Sequence, residues 1–329
     1  MEQDCRAFLK TAGVSSAAVA FGATAASAAN CPLGPPPHKE GPHVWKNMDQ
    51  VELDAAYDQS FYAPLLRQTT KRWAAISKET RARLGNPKHV SYGPTAIETM
   101  DIFTTKKPNA PIFVFIHGGA WRHGAGKSYA FPAEMFVNAG AHYITLDFIN
   151  VDAAKGDITP MADQVRHAIM WVHKNASTFG GDANRLYIGG HSSGGHLCGV
   201  ALTTDWQKDY GAPADIVKGG LCMSGMYDLK PVRLSARGHY VKFTDAMEQA
   251  MSSQRHIANL RVPVICTYGT NETPEFQRQN RDFAAAVKAA GKSVELIEAP
   301  DYNHFEMCES LGNPYGPNGR AALKMMKLT

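Results

Sequence analysis

The segment Gly189-Gly-His-Ser-Ser-Gly-Gly-His196 constrains this chain more than any other. It follows an apolar run at 185–189 that reads as a strand, and it opens a stretch at 195–204 that reads as a helix. Gly190-His-Ser192-Ser-Gly194 therefore matches G-x-S-x-G in the strand–turn–helix context that gives the motif its meaning. Such a turn forces the serine backbone into a strained conformation. A Cβ two residues to either side would collide with neighbouring backbone, which is why both flanking positions are glycine. Ser192 is expected to project its hydroxyl above the sheet. The competing use of the same residues is a glycine-rich helix N-terminus that binds an anion.

The surroundings fit a sheet that carries such a turn. Continuous apolar runs at 111–116, 142–148, 185–189, 216–223, 262–268 and 293–297 alternate with helical stretches near 129–139, 160–178, 195–204 and 275–290, and a last helix lies near the C-terminus. Unbroken apolar strands separated by helices indicate a mostly parallel sheet covered on both faces, so the fold class is α/β. Two short strands at 89–92 and 98–103, joined across Gly93-Pro94, predict an antiparallel start. Upstream, 47–84 carries helical spacing in Val51, Leu53, Tyr57, Phe61, Trp73, Ile76 and Leu84, and two helices are expected to drape over the rest. Residues 228–260 break the alternation with a mixed polar and aromatic insertion, where a lid over the strand C-termini would sit. With 44% hydrophobic and 19% charged residues, 47–329 can bury one large core, and a disordered or fibrous chain is excluded.

A serine hydroxyl is a weak nucleophile and needs a base, an acid to orient that base, and donors for the developing oxyanion. His117-Gly-Gly-Ala-Trp121 follows the first central strand. The amides of Gly118, Gly119 and Ala120, with that of Ser193, are the candidate donors; the plain alternative is an ordinary glycine turn. In this fold the order is serine, acid, histidine. His304, in the loop after the last strand, is the candidate base, with His239 and His256 as alternatives in the insertion. His191 and His196 flank the serine but point the wrong way for a base and read as packing or pocket groups. Glu272, in the loop after the 262–268 strand, is the candidate acid, and Asp228 is the alternative. Glu275 falls in a first helical turn, where a carboxylate is favourable for the helix dipole alone.

Taken together, Ile116-His-Gly-Gly-Ala-Trp121, Gly190-His-Ser-Ser-Gly-Gly-His196, Ser224-Gly-Met-Tyr-Asp-Leu229, Glu272-Thr-Pro-Glu-Phe-Gln-Arg-Gln279 and Asn303-His-Phe305 resemble the arylformamidase (kynurenine formamidase) group of α/β-hydrolases, close to the hormone-sensitive-lipase-like esterases. The resemblance runs from about Trp45 to the C-terminus and implies an α/β-hydrolase fold. Members of the group carry Asp-Ser-Pro-Glu-Phe at the acid loop, which aligns their acid with Glu272. The glutamate here is one methylene longer, so backbone retreat or a strained pair is expected.

The reading is a metal-independent serine hydrolase of carboxylic esters or of activated amides, carbamates or formamides with aromatic or small acyl groups, working through an acyl-enzyme. Ser192 would attack, His304 would move the proton and Glu272 would orient His304. Trp121, Tyr129, Phe148, Tyr227, Tyr240, Phe243 and Phe305 are the candidate pocket residues, each equally explicable as loop packing. No cofactor or metal is expected. True N-formylkynurenine hydrolysis, an acyltransferase and a binding-only reuse of the scaffold stay open.

The net charge of +4 is too small for a nucleic-acid footprint, and no run of about 18 apolar residues outside the leader suggests a membrane span. The expected partner is a small ester or amide, with a homodimer left open. Residues 1–29 resemble an export leader ending in Ala26-Ser27-Ala28, although Cys5 replaces the first arginine of a twin-arginine motif; 30–46 is a Pro/Gly-rich tether. The protein is therefore expected to be periplasmic or secreted if the leader works, and cytoplasmic otherwise. Cys198, Cys222, Cys266 and Cys308 fall in core elements and read as buried thiols.

Overall fold

A computed structural model describes residues 34–35 and 37–328. The leader at 1–29 lies outside the described residues. The described residues form one eight-stranded sheet from β1 (Lys88–Ser91), β2 (Thr99–Phe103), β3 (Ala110–Ile116), β4 (His142–Leu146), β5 (Gly181–His191), β6 (Gly220–Met223), β7 (Val264–Gly269) and β8 (Val294–Ala299). Their order is β1-β2-β4-β3-β5-β6-β7-β8. The β1–β2 and β2–β4 pairs are antiparallel and the remaining pairs parallel, which matches the antiparallel start read from the sequence.

Period-two alternation splits β3 between two cores. Ile112, Val114 and Ile116 face the larger one, and Phe113 and Phe115 the smaller. Over the first face lie α4 (Thr159–Asn175), α5 (Ser193–Leu202) and α9 (Pro274–Ala289), contributing Val165, Leu197 and Phe283. Over the second lie α2 (Leu66–Leu84), α3 (Ala133–Ala139) and α11 (Pro317–Met325), contributing Trp73, Phe136 and Ala322. The short helices are α1 (Gln50–Ala56), α6 (Trp206–Tyr210), α7 (Leu229–Leu234), α8 (Asp245–Met251) and α10 (His304–Glu309).

Three local readings change. The strand placed at 216–223 begins only at Gly220, because Ile216 and Val217 are buried from a turn and the amide of Lys218 bonds the carbonyl of Leu186. Asp205 caps a helix, α6, that the sequence reading lacked. β5 extends back to Gly181, whose pairing with Ala110 is separated from the main register by a bulge.

The insertion at 228–260 holds α7, a 3₁₀ turn at Ala236–His239, and α8. Glu248, nearly buried, receives Arg255 at 2.7 Å and Arg233 at 3.2 Å, which ties both ends of the insertion to α8. The first helices of the chain are held from the far end of the sequence: the hydroxyl of Tyr57 donates to buried Glu275 at 2.9 Å, and Arg72 pairs with Glu309 at 2.5 Å. Cys198, Cys222, Cys266 and Cys308 are buried free thiols. Among the described residues no helix is long and apolar enough to cross a membrane.

Candidate active site

Ser192 sits between β5 and α5 with φ 59° and ψ −123°, a backbone conformation that L residues rarely hold. The flanking glycines make it sterically accessible. A Cβ on Gly190 would lie 2.1 Å from the carbonyl oxygen of Gly194, and one on Gly194 would lie 2.1 Å from that of Ile116. The turn is anchored by the amide of Ser192, which donates to Met223 at 3.0 Å. Among the described residues the Ser192 hydroxyl bonds to no other side chain, so it stays available at the mouth of the turn.

His304 is the first residue of α10, which Asn303 and Glu306 fix with a reciprocal capping box. Its Nδ1 lies 2.7 Å from Oε2 of Glu272. Oε1 of Glu272 accepts from Ser224 Oγ at 2.6 Å and from the Gly269 amide at 2.8 Å. Glu272 reaches back over its own turn onto Gly269, and its contact with His304 keeps an ordinary hydrogen-bond length. Burial pushes the His304 imidazole well below its ordinary value, with the Arg237 cation adding to the effect, so the ring is neutral and able to accept a proton. Burial pushes Glu272 the other way, opposed by the bonds from Ser224 and Gly269.

The alternatives sit elsewhere. Asp228 caps α7 and faces Arg255 at 3.5 Å. Glu275 is committed to Arg278 and Tyr57. His256 bonds the Gln249 carbonyl, and His239 lies in the 3₁₀ turn of the insertion. His191 packs on the His304 ring at 4.4 Å between centroids, and its Nε2 donates to the His304 carbonyl at 2.8 Å. His196 bridges Trp121 Nε1 and the Met251 carbonyl. His196 is a packing group, whereas His191 also lines the cavity that holds Ser192 and His304.

The loop after β3 is strained over three consecutive residues, with φ of 122° at Gly119, 55° at Ala120 and 62° at Trp121. Gly119 is obligatory, because a Cβ there would meet the His123 carbonyl oxygen at 2.1 Å. The Trp121 amide donates to Ser193 Oγ at 3.2 Å and docks the loop on the start of α5. Among the described residues the amides of Gly119, Ala120 and Ser193 have no protein acceptor. Gly119 and Ala120 line the cavity that holds Ser192, whereas Gly118 lines a smaller neighbouring one.

Comparison with known proteins agrees with this architecture. The BD-FAE family matches residues 100–217. Kynurenine formamidase from Danio rerio is 28% identical over 280 residues, spanning 81% of this chain and 93% of its own. Esterase LipC from Mycobacterium tuberculosis is 26% identical over 268 residues, spanning 71% of this chain and 63% of its own. Among solved structures, an esterase from Pyrobaculum calidifontis superposes with a TM-score of 0.63 at 16% identity, covering 82% of this chain and 94% of its own. Esterase 2 from Thermogutta terrifontis does so at 0.58 and 20%, covering 74% and 92%. The chain has the α/β-hydrolase fold and is similar to kynurenine formamidases and to esterases of that fold. It is a hydrolase.

The Ser192 cavity of this hydrolase measures about 810 Å³, large enough for an aromatic substrate. Of the predicted pocket residues, Tyr129, Tyr240 and Phe305 line it with Ser192 and His304. Trp121 and Phe148 instead line the neighbouring cavity of about 370 Å³, because the docking of Trp121 on Ser193 and His196 turns the indole behind the loop. Tyr227 lies in the core, stacked on Phe283 at 4.3 Å, and Phe243 packs against the same core. Tyr57, Phe61 and Trp73 of the first helical segment and Arg237 of the insertion also line the Ser192 cavity. Sequence reasoning missed these as site residues; the aromatic helical spacing at 47–84 was the available signal. Among the described residues no group of His, Cys, Asp and Glu has the arrangement of a metal site.

Proposed function

We propose that this hydrolase cleaves carboxylic esters or activated amides and carbamates of aromatic or small-acyl substrates through an acyl-enzyme on Ser192. The observation that carries the reading is the buried 2.7 Å contact of His304 with Glu272 in the cavity wall that also presents Ser192 and the unpartnered amides of Gly119 and Ala120. Ser192 Oγ attacks the carbonyl while His304 Nε2 takes its proton. Glu272 holds the ring by Nδ1 and offsets the imidazolium charge. The amides of Gly119, Ala120 and Ser193 donate to the oxyanion, with Gly118 setting the approach of the loop to Ser192. His304 then protonates the leaving group, and water repeats the sequence to release the acid.

The similarity to kynurenine formamidase along 93% of that protein favours a second substrate class, N-formylated aryl amines. A rate profile on phenyl acetate, a longer aryl ester, N-formylkynurenine and an aryl carbamate, with Ser192→Ala as blank, separates the two. Adding an alcohol acceptor reveals any acyl transfer, and turnover of none of the four supports binding-only use of the scaffold. The small-residue pattern at 26–28 supports export of the mature chain. N-terminal sequencing of the protein from periplasm and cytosol tests that.

A further inference from the structure

We propose that Arg237 is a specificity-determining residue that selects substrates carrying a carboxylate, or a like anion, on the part of the molecule that does not react. The residue is almost fully buried, at 8% exposure, and lines the Ser192 cavity. Nε and Nη2 donate to a neutral acceptor, the Tyr57 carbonyl, at 3.3 and 2.9 Å. Nη1 is buried and has no partner. The rings of Trp121, Phe276 and Tyr57 lie 5.5, 5.8 and 6.0 Å from its centre, which eases the charge but satisfies no N–H.

Among the described residues no carboxylate pairs with it. The contrast with Arg278, which holds Glu275 and Asp282 at 2.6 Å each, is direct. Asp54 and Asp58 also face the cavity, but Oδ1 of Asp54 accepts from Ala236 and Gln50, and Oδ1 of Asp58 from Ser60. A buried cation without a counter-charge is costly. A second wall residue, Trp73, likewise has a buried Nε1 without a partner. A buried, unpaired cation in the cavity wall with one N–H unmet describes a ligand that brings an acceptor and a negative charge.

The same cation disfavours protonation of His304. A bound anion offsets that field when the imidazolium forms, so the charge on the substrate assists turnover as well as binding.

The inference rests on the serine-hydrolase reading, and one experiment tells the two apart. The full-length protein is assayed on 3- and 4-carboxyphenyl acetate and on their carbamoylphenyl isosteres, each kcat/KM divided by the hydroxide rate for that ester. We expect the wild type to favour the carboxylates by about tenfold or more, the effect of one charge-assisted contact. Arg237→Gln should bring that ratio close to one, Arg237→Lys should fall between, and 4-hydroxybenzoate should inhibit Arg237→Gln more weakly than wild type. Hydrolysis of the neutral isosteres with no preference in the wild type, or an unchanged ratio in Arg237→Gln, overturns this inference alone. Hydrolysis of none of the esters overturns the serine-hydrolase reading with it. If Arg237→Gln does not fold, the wild-type ratio and the lysine variant still decide.

Discussion

The Ser224 hydroxyl holds one oxygen of Glu272 at 2.6 Å while the other faces His304 at 2.7 Å, so the carboxyl that meets the ring is itself fixed by a neighbouring strand end. Ser224→Ala should lower kcat by on the order of tenfold with little change in KM, the cost of one hydrogen bond to a charged group. That bond also holds the Glu272 carboxyl down against burial. Its loss raises the carboxyl further, so the fall in rate on acidification should begin at higher pH in the variant. A pH profile of kcat/KM for both proteins checks the direction.

Ser192→Ala should leave the fold intact and reduce turnover on the order of a millionfold. Because φ at Ser192 is 59°, Ser192→Gly should be more stable than Ser192→Ala by about 1 kcal/mol while equally inactive. Urea unfolding of the two inactive proteins measures that difference, and near-normal activity in either one overturns the mechanism.

Glu272→Gln should cost far more activity than Asp228→Asn. The first touches His304, whereas the second only weakens the cap of α7 and the contact with Arg255. The reverse order of the two kcat values would move the orienting role to Asp228.

His191 and His196 are buried, and burial lowers their values from 6.5 to about 3 and about 4. Above pH 6.5 both are neutral whether folded or unfolded and contribute no pH dependence. Below it, only the unfolded chain takes up the protons. Stability should therefore fall with decreasing pH by about 1.4 kcal/mol per unit for each histidine, from near pH 6.5 down toward pH 4. Urea unfolding at pH 7.5, 6.0 and 5.0 gives the slope, and His196→Gln should remove one proton from it.

Legibility followed chain distance. The central sheet was readable because β3 and β4 are unbroken apolar runs, and the Ser192 turn because both glycines are sterically required. His304 and Glu272 could be proposed from their order along the chain, and the structure brings them together. The cavity wall resisted. Trp121 and Tyr227 are aromatic and follow strand ends, yet each is held away from the cavity by a local contact, to Ser193 and to Phe283, that no spacing encodes. Arg237 stood in a polar insertion, where an arginine ordinarily reads as solvated surface. Its burial depends on Tyr57, 180 positions earlier.

The ties of Tyr57 to Glu275 and Arg72 to Glu309 span 218 and 237 positions, and both clamp the segment that walls the cavity. During synthesis α2 can meet Asp101, Ser128 and Glu134 early, whereas these two ties form only once Glu275 and Glu309 have been made. β8 also follows Glu275, so the sheet and the first of these clamps are completed together. A chain cut short before Glu309 would lose one of the two clamps and leave α2, with Trp73 in the cavity wall, less firmly held beside Ser192.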